Sequence, residues 1–508
     1  MKKSHVAIVL VALLAGVGLG LLLFDDDDAP ATTAGWIPPD PTGESVAAGL
    51  ESYYEQDLGW EECGRNQCTW VTVPVDYDDP AGETTRLRVS VVPADGEGGR
   101  SLFVNPGGPG GSAIEFADQF AALVGDDVQQ VYDVVGMDPR GVGESTPLEC
   151  FDGARFDDYV AQDPTPDDPE EQARYVQEIS ELAAACEQNS GALAAHVSTV
   201  EVARDLDVVR ALLGEEKLDW FGASYGTQLG ATYATLFPER TGRMVLDGAV
   251  DPTLDAFESA MAQTTGFQRA VESYAAWCAE QGDCPLGDDP AVGVDRLTSF
   301  LAALDVRPLP GLGDRLLTEG IAFYGVALPL YNEGSWDFLS QALELALDGD
   351  GSGLMYASDL YFDRQDDGSY GSNLGQVITA VSCLDSTDRP ELDDVFAQVD
   401  RFEQASPIFG RALAWGAAGC SAWPFTSDDP APQLDGAGAP PILVLGTTRD
   451  PATPYESAVA LAEQLESGML ITRDGDGHTA YTSGNQCIAD TVDRFLLDGT
   501  VPEADPRC

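Results

Sequence analysis

The stretch Gly222-Ala223-Ser224-Tyr225-Gly226 places a serine between small residues, after an apolar run and before a helix-like one. G-x-S-x-G is the pattern of a strand-to-helix turn that lifts a hydroxyl clear of a sheet, because glycines let the backbone bend sharply there. A chain with 54 glycines contains such spacings by chance, so the surroundings decide. Leu218-Asp219-Trp220-Phe221 reads as a short buried strand entering the turn. Residues 227–237 carry helical apolar spacing and stop before Pro238. A glycine-rich structural turn is the bland alternative; in this context Ser224 is the candidate nucleophile.

A serine needs a base, and the chain has only three histidines. His5 lies in the N-terminal segment 1–24, just before an apolar run from Val6 to Phe24. His196 precedes a helix on the wrong side of Ser224 in chain order. His478 follows the last strand, in Asp474-Gly475-Asp476-Gly477-His478. The order nucleophile, acid, histidine makes His478 the expected general base and His196 a structural residue. The imidazole in turn needs an acid to fix its tautomer, and Asp450, in Gly446-Thr447-Thr448-Arg449-Asp450-Pro451, follows a strand on the edge where catalytic loops gather. Asp247 is its rival, with Asp474 and Asp476 nearby. Since imidazole must be neutral to act as a base, the rate is expected to rise with pH through an apparent pKa of about 7.

Acyl transfer also requires donors for a developing oxyanion. The Tyr225 amide supplies one by following the nucleophile. The loop Asn105-Pro106-Gly107-Gly108-Pro109-Gly110-Gly111-Ser112 offers the second, at Gly108. A tight loop is the alternative; a phosphate-cradling one fails because no Lys-Ser/Thr follows. The triad and two amides suffice for such chemistry, so no metal or organic cofactor is implied.

Positioning these residues calls for a mostly parallel sheet. Strand-like runs fall at residues 68–77, 87–93, 102–105, 132–137, 218–221, 244–247, 441–446 and 469–472, eight in all. The first two form a hairpin across Asp78-Asp79-Pro80-Ala81-Gly82, and later ones alternate with helices as in βαβ units. One such helix begins at the capping box of Ser198 and Glu201 and stops at Gly214. The interval between the sixth and seventh strands is far too long for one crossover. Its alanine-rich apolar stretches predict a mainly helical cap inserted after strand 6. The expected divisions are residues 46–250 for the first part of the core, 251–438 for the cap and 439–508 for the core's C-terminal part.

Lys2 and Lys3 precede an uninterrupted apolar run to Phe24, followed by Asp25-Asp26-Asp27-Asp28. Residues 1–24 read as an export signal, either cleaved or kept as an anchor, and 25–45 as an acidic, proline-containing linker. The formal net charge of −60 argues against nucleic-acid binding and for solvation in an extracytoplasmic setting. It also favours substrates with a positive end. Ten cysteines in an exported chain point to disulfides, whose spacing suggests the neighbour pairs Cys63 with Cys68, Cys150 with Cys186, Cys278 with Cys284, Cys383 with Cys420 and Cys487 with Cys508. Sequence alone does not fix that connectivity. No CxxC pair occurs, which disfavours a zinc site.

Pro106-Gly107-Gly108-Pro109-Gly110, Asp138-Pro139-Arg140-Gly141-Val142-Gly143-Glu144-Ser145, the Ser224 turn, Val245 to Pro252, and the pair Asp450 and His478 together resemble the α/β-hydrolase peptidases of the proline iminopeptidase and tripeptidyl aminopeptidase group. The resemblance runs from about Trp60 to Cys508 and is nearest to exported bacterial tripeptidyl aminopeptidases with a TAP-like C-terminal segment. It implies an α/β-hydrolase fold and a serine exopeptidase acting on peptide or protein N-termini, with membrane contact only through the N-terminal segment. It departs at Pro106, where proline iminopeptidases carry His, so tripeptide-releasing relatives fit better. Enzymes of this group read the substrate's ammonium with cap carboxylates, and Asp385, beside Cys383, is the candidate here. An exported carboxylesterase or lipase would use the same triad without an ammonium site. A catalytically dead surface-binding module is the reading from another class. Haloalkane dehalogenases and epoxide hydrolases are disfavoured, since they need Asp at the place of Ser224.

Overall fold

The computed structural model describes residues 36–96, 99–427, 433–502 and 505–508. The export segment and the first part of the linker lie outside them. Among the described residues no helix is long and apolar enough to cross a membrane. Along the chain the strands are β1 (Glu61–Cys63), β2 (Asn66–Pro74), β3 (Thr84–Val92), β4 (Arg100–Asn105), β5 (Tyr132–Met137), β6 (Leu218–Ala223), β7 (Thr241–Asp247), β8 (Leu309–Pro310), β9 (Leu316–Leu317), β10 (Ile442–Arg449) and β11 (Gly468–Asp476).

Nine of them form one sheet in the order β1-β2-β3-β5-β4-β6-β7-β10-β11. All eight expected strands are in it; the ninth, β1, is a short edge strand that pairs with β2 and carries the Cys63–Cys68 disulfide. β2 and β3 form the expected antiparallel hairpin, with Val71 opposite Leu87. From β5 to β11 every pairing is parallel. Those central strands read as continuous apolar runs because both faces are covered. Leu218, Trp220, Met244, Leu246, Ile442 and Val444 face one layer, and Phe221, Ala223, Val245, Leu443 and Leu445 the other. Helices Thr199–Leu212, Tyr225–Leu236 and Tyr455–Gln464 pack on the first face; Ala113–Leu123 and Gln486–Asp498 pack on the second. The C-terminal tail hydrogen-bonds along β11 at Thr472 and is tied back by Cys487–Cys508, covering that edge.

The excursion between β7 and β10 is helical, with its own core of Phe267, Tyr274, Ile321, Trp336, Leu339 and Phe409. Packing crosses the divisions read from sequence twice. Phe156 and Val160, on the helix Gly153–Val160 that precedes β6, join the cap's core. Val377, Val381 and Leu384, on the cap helix Leu374–Asp385, join the core beneath β6. The other cysteines pair as their spacing suggested: Cys150–Cys186, Cys278–Cys284, Cys383–Cys420 and Cys487–Cys508.

The Asp138-Pro139-Arg140-Gly141 motif is framework. Asp138, fully buried, accepts from Ser112 Oγ at 2.8 Å, the Ile114 amide at 3.1 Å and the Glu144 amide at 2.8 Å. It thereby ties the glycine loop after β4 to the loop after β5. Arg140, also fully buried, makes a bidentate pair with Asp205 at 2.8 and 2.6 Å and donates to the carbonyls of Val75, Pro74 and His196. Removing one partner of such a pair leaves a charge buried alone, at a penalty of about 3–5 kcal/mol. Asp205→Ala is therefore expected to lower the midpoint of urea unfolding strongly, and an unchanged midpoint would refute this assignment.

Candidate active site

Ser224 follows β6 and precedes the helix Tyr225–Leu236, at φ 54° and ψ −123°. The turn is crowded enough to demand its glycines. A Cβ on Gly222 would lie 2.1 Å from the Gly226 carbonyl oxygen, and one on Gly226 would lie 2.8 Å from the Asn105 oxygen. Because β4 and β6 are neighbours, with Asn105 opposite Gly222, the loop after β4 meets this turn. A Cβ on Gly107 would sit 2.6 Å from the Ala223 carbonyl, 2.8 Å from Ser224 Cβ and 2.9 Å from the Tyr225 nitrogen. Gly107 donates to Asn105 Oδ1 at 2.9 Å and has φ 98°; Gly108, beside it, has φ 110°. The two expected oxyanion donors, Tyr225 and Gly108, are thus on segments packed against one another.

Asp450 follows β10, and its carboxylate accepts from the amides of Ala452 and Thr453, both at 2.9 Å. His478 follows β11 and turns its Nδ1 to Asp450, 2.8 Å from Oδ2 and 2.9 Å from Oδ1. Both side chains are buried, at 6% and 0% exposure. This arrangement calls for a proton on Nδ1 and leaves Nε2 as the basic nitrogen. Burial works against the charged imidazolium, but the charge and hydrogen bond of Asp450, with the charge of Asp247 behind them, outweigh it. The His478 pKa is held above its ordinary value.

What unites the histidine and the serine is the end of β7. The Ser224 amide donates to the Asp247 carbonyl at 2.9 Å. The Asp247 carboxylate accepts from the amides of Ala480 at 2.7 Å and Tyr481 at 2.8 Å, pinning the loop that carries His478. Burial pushes that carboxyl up to about 6. Gly248, next in chain, has φ 67°, and a Cβ there would be 3.1 Å from His478 Cε1. So Asp247, the rival acid, serves the scaffold while Asp450 meets the imidazole. Asp474 and Asp476 bind Arg449, at 3.0 and 2.9 Å, and brace the ends of β10 and β11.

His196 lies elsewhere, 3.8 Å from Glu201 Oε1, its carbonyl accepting from Arg140. Asp385, the candidate amine reader, is held by groups of the hydrolase core. One carboxylate oxygen accepts the Thr199 amide at 2.8 Å; the other accepts Thr199 Oγ1 at 2.5 Å and Gln228 Nε2 at 3.3 Å. Burial pushes this carboxyl up to about 6. It binds the start of the helix Thr199–Leu212, because the cap helix that carries it packs into the hydrolase core.

Two neighbours of the histidine were not foreseen. Thr453 Oγ1 lies 3.3 Å from His478 Nδ1; the Asp450-Pro451-Ala452-Thr453 turn, whose amides return to its aspartate, was the available signal. Tyr331 comes from the cap: its carbonyl accepts the His478 amide at 2.8 Å and its ring stands edge-on to the imidazole with centroids 5.3 Å apart. No sequence feature marks it. Among the described residues, two sets of side chains bring possible metal-ligand atoms within 4.8 Å of one another, Asp76-His196-Glu201 and Asp163-Asp305-Glu319. Arg140 supplies a counter-charge to the first, 3.5 Å from Glu201. In the second, burial and neighbouring acids push Glu319 up to about 7.

The geometry makes the pH dependence specific. With the His478 pKa raised, the neutral base appears only at higher pH, so kcat/KM should climb through a midpoint above the ordinary imidazole value of about 6.5. Asp450→Asn removes the charge that raises it. That variant should lose about 10,000-fold in kcat while its residual activity shifts to a lower midpoint. A pH–rate profile of the variant that coincides with the parent's would contradict the pairing.

Residues 406–508, which include Asp450 and His478, match the family model described as TAP-like protein. The chain is 36% identical over 475 residues to the serine protease Hip1 of Mycobacterium tuberculosis, covering 89% of this chain and 91% of that protein. It is 39% identical over 450 residues to carboxylesterase B of the same organism, covering 87% and 86%. To the tripeptidyl aminopeptidase of Streptomyces lividans it is 34% identical over 482 residues, covering 92% and 89%. With its G-x-S-x-G turn, its aspartate–histidine pair and likeness along most of its length to such relatives, the chain belongs to the TAP-like family of α/β-hydrolases.

Proposed function

We propose that this chain is an exported serine exopeptidase that releases short peptides, tripeptides foremost, from free N-termini. The observation that carries the reading is the buried Asp450–His478 pair, held to the same end of β7 that anchors the Ser224 turn. In the reaction, His478 Nε2 takes the proton of Ser224 Oγ as the oxygen attacks the scissile carbonyl. The amides of Tyr225 and Gly108 hold the oxyanion. His478 then protonates the leaving amine, and water, activated by the same nitrogen, releases the acyl group. Asp450 keeps the proton on Nδ1 and stabilises the imidazolium. Five disulfides support work outside the cytoplasm. The net charge of −60 favours the approach of substrates with a free ammonium.

The relatives named serine protease and tripeptidyl aminopeptidase support a peptidase, and the one named carboxylesterase favours ester hydrolysis as the second reading. Three substrates separate them: a tripeptide anilide with a free amine, its N-acetylated form, and a short-chain p-nitrophenyl ester. The purified protein, disulfides intact, is expected to cleave the free-amine anilide at least tenfold better than the acetylated one, and Ser224→Ala should lose on the order of a millionfold in kcat. Ester turnover with no preference between the two peptides would move the chain to the esterases. Anilide cleavage that survives in Ser224→Ala would remove the serine from the mechanism.

A further inference from the structure

One helix of the cap excursion touches both segments that supply the oxyanion donors. At its N-terminal end, Leu374–Asp385 rests on the glycine loop. A Cβ on Gly110 would lie 3.0 Å from Leu374 Cα and 3.1 Å from Val377 Cβ, and one on Gly108 would lie 3.4 Å from Leu374 Cδ1. Asn373, just before it, donates to the carbonyls of Gly141 at 2.7 Å and Leu148 at 3.0 Å, fixing that end to the loop after β5. At the other end stands Asp385, two residues beyond Cys383, which is joined to Cys420. Arg389 donates to the Cys383 carbonyl at 2.7 Å and holds the same turn.

From Asp385 a polar chain leads to the residue after the nucleophile. Thr199 gives the carboxylate both its amide and its hydroxyl, at 2.8 and 2.5 Å. Its oxygen also lies 2.5 Å from the Tyr225 hydroxyl. A threonine hydroxyl has one proton, and an ionised carboxylate only accepts. The order is therefore Tyr225 O–H to Thr199 Oγ1, and Thr199 O–H to Asp385 Oδ2. Gln228, one turn along from Ser224, donates to the same oxygen at 3.3 Å. The Tyr225 ring is buried, so its hydroxyl tether and its packing together fix where its main-chain amide stands.

We propose that Asp385, acting through Thr199, is a positioning residue for the Tyr225 amide, and that the helix Leu374–Asp385 sets the spacing between the two oxyanion donors. The inference rests on the acyl-transfer reading of Ser224. It differs from an amine-reading role in what it affects: a residue that binds the substrate's ammonium matters only to substrates that have one, whereas a misplaced oxyanion donor slows every acyl substrate. Deleting one such donor lowers kcat by about 100- to 1,000-fold, so displacing it is expected to lower kcat by about 10- to 100-fold.

The test compares Asp385→Asn, Thr199→Val, Thr199→Ser and Tyr225→Phe with the parent on the free-amine tripeptide anilide and on the p-nitrophenyl ester. It also measures the rate at which a fluorophosphonate, whose phosphoryl oxygen occupies the oxyanion position, labels Ser224. Asp385→Asn, Thr199→Val and Tyr225→Phe should lose roughly 10- to 100-fold in kcat on both substrates, with KM within about twofold and labelling slowed in step. Thr199→Ser keeps the hydroxyl and should stay near the parent. Asp385→Asn combined with Tyr225→Phe should lose no more than either alone, as members of one chain do. Loss confined to the free-amine substrate and seen in KM would overturn the proposal and make Asp385 an amine reader. Unchanged kcat and labelling in all variants would overturn it as well. Should Asp385→Asn fail to fold, Tyr225→Phe, which removes a single oxygen, decides the matter. A parent that labels at Ser224 yet cleaves neither substrate would refute the peptidase reading while the labelling rates still judge this one; a parent that does not label sinks both.

Discussion

Ser224 is held at a positive φ that costs a non-glycine residue about 1–3 kcal/mol, and the surrounding contacts hold it there. Its amide is bound to the Asp247 carbonyl, and its own carbonyl accepts the Thr227 amide at 2.8 Å and the Thr227 hydroxyl at 2.6 Å. The Trp220 indole donates to the Gly226 carbonyl at 3.1 Å, fixing the first turn of the helix to the strand that precedes it. Gly222, Gly226 and Gly107 supply the space. Each would collide with backbone if it had a side chain. The strain is therefore sustained by parallel pairing of β4, β6 and β7, whose C-terminal ends converge on one serine.

The same edge explains why acids that look alike in sequence do different work. With 86 acidic residues against 26 basic ones, a carboxylate has little chance of an arginine partner, and its role follows from which amides and hydroxyls surround it. Asp138, Asp247, Asp385 and Asp450 all accept backbone N–H groups at loop or helix starts. Only Asp450 also meets an imidazole. Two of the scarce arginines, by contrast, are placed where burial makes pairing matter most: Arg140 with Asp205 and Arg210 with Asp207 are fully buried pairs. Their side chains join the N-terminal segment and the β2 end to the helix Thr199–Leu212.

Much of the architecture was legible because local pattern and global fold agree. Buried parallel strands read as unbroken apolar runs, the Ser198–Glu201 box announced its helix, and the long interval after β7 required an insertion. The short β1 escaped notice because Glu61-Glu62-Cys63 has no apolar periodicity; a disulfide and a hairpin register make it a strand. The cap's limits were harder to read. Phe156 and Val160 carry ordinary helical spacing, and nothing local tells which of two cores an amphipathic helix will join. The surroundings of Asp385 were not legible for a related reason: its partners Thr199 and Gln228 lie 186 and 157 residues away.

By itself, then, the sequence determined the candidate nucleophile, the candidate base and the sheet that carries them. It did so because a nucleophile turn needs glycines at set places, because a chain with three histidines leaves few bases, and because apolar periodicity is a local property. Tertiary structure decided which aspartate meets the histidine, which acid belongs to the framework, and which cap groups, Tyr331 and the helix Leu374–Asp385, reach the sheet edge that carries Ser224 and His478. Those outcomes depend on distances between segments far apart in the chain. Residue type and spacing carry no record of them, since an aspartate's charge is the same wherever it falls and only its neighbours in space give it a task.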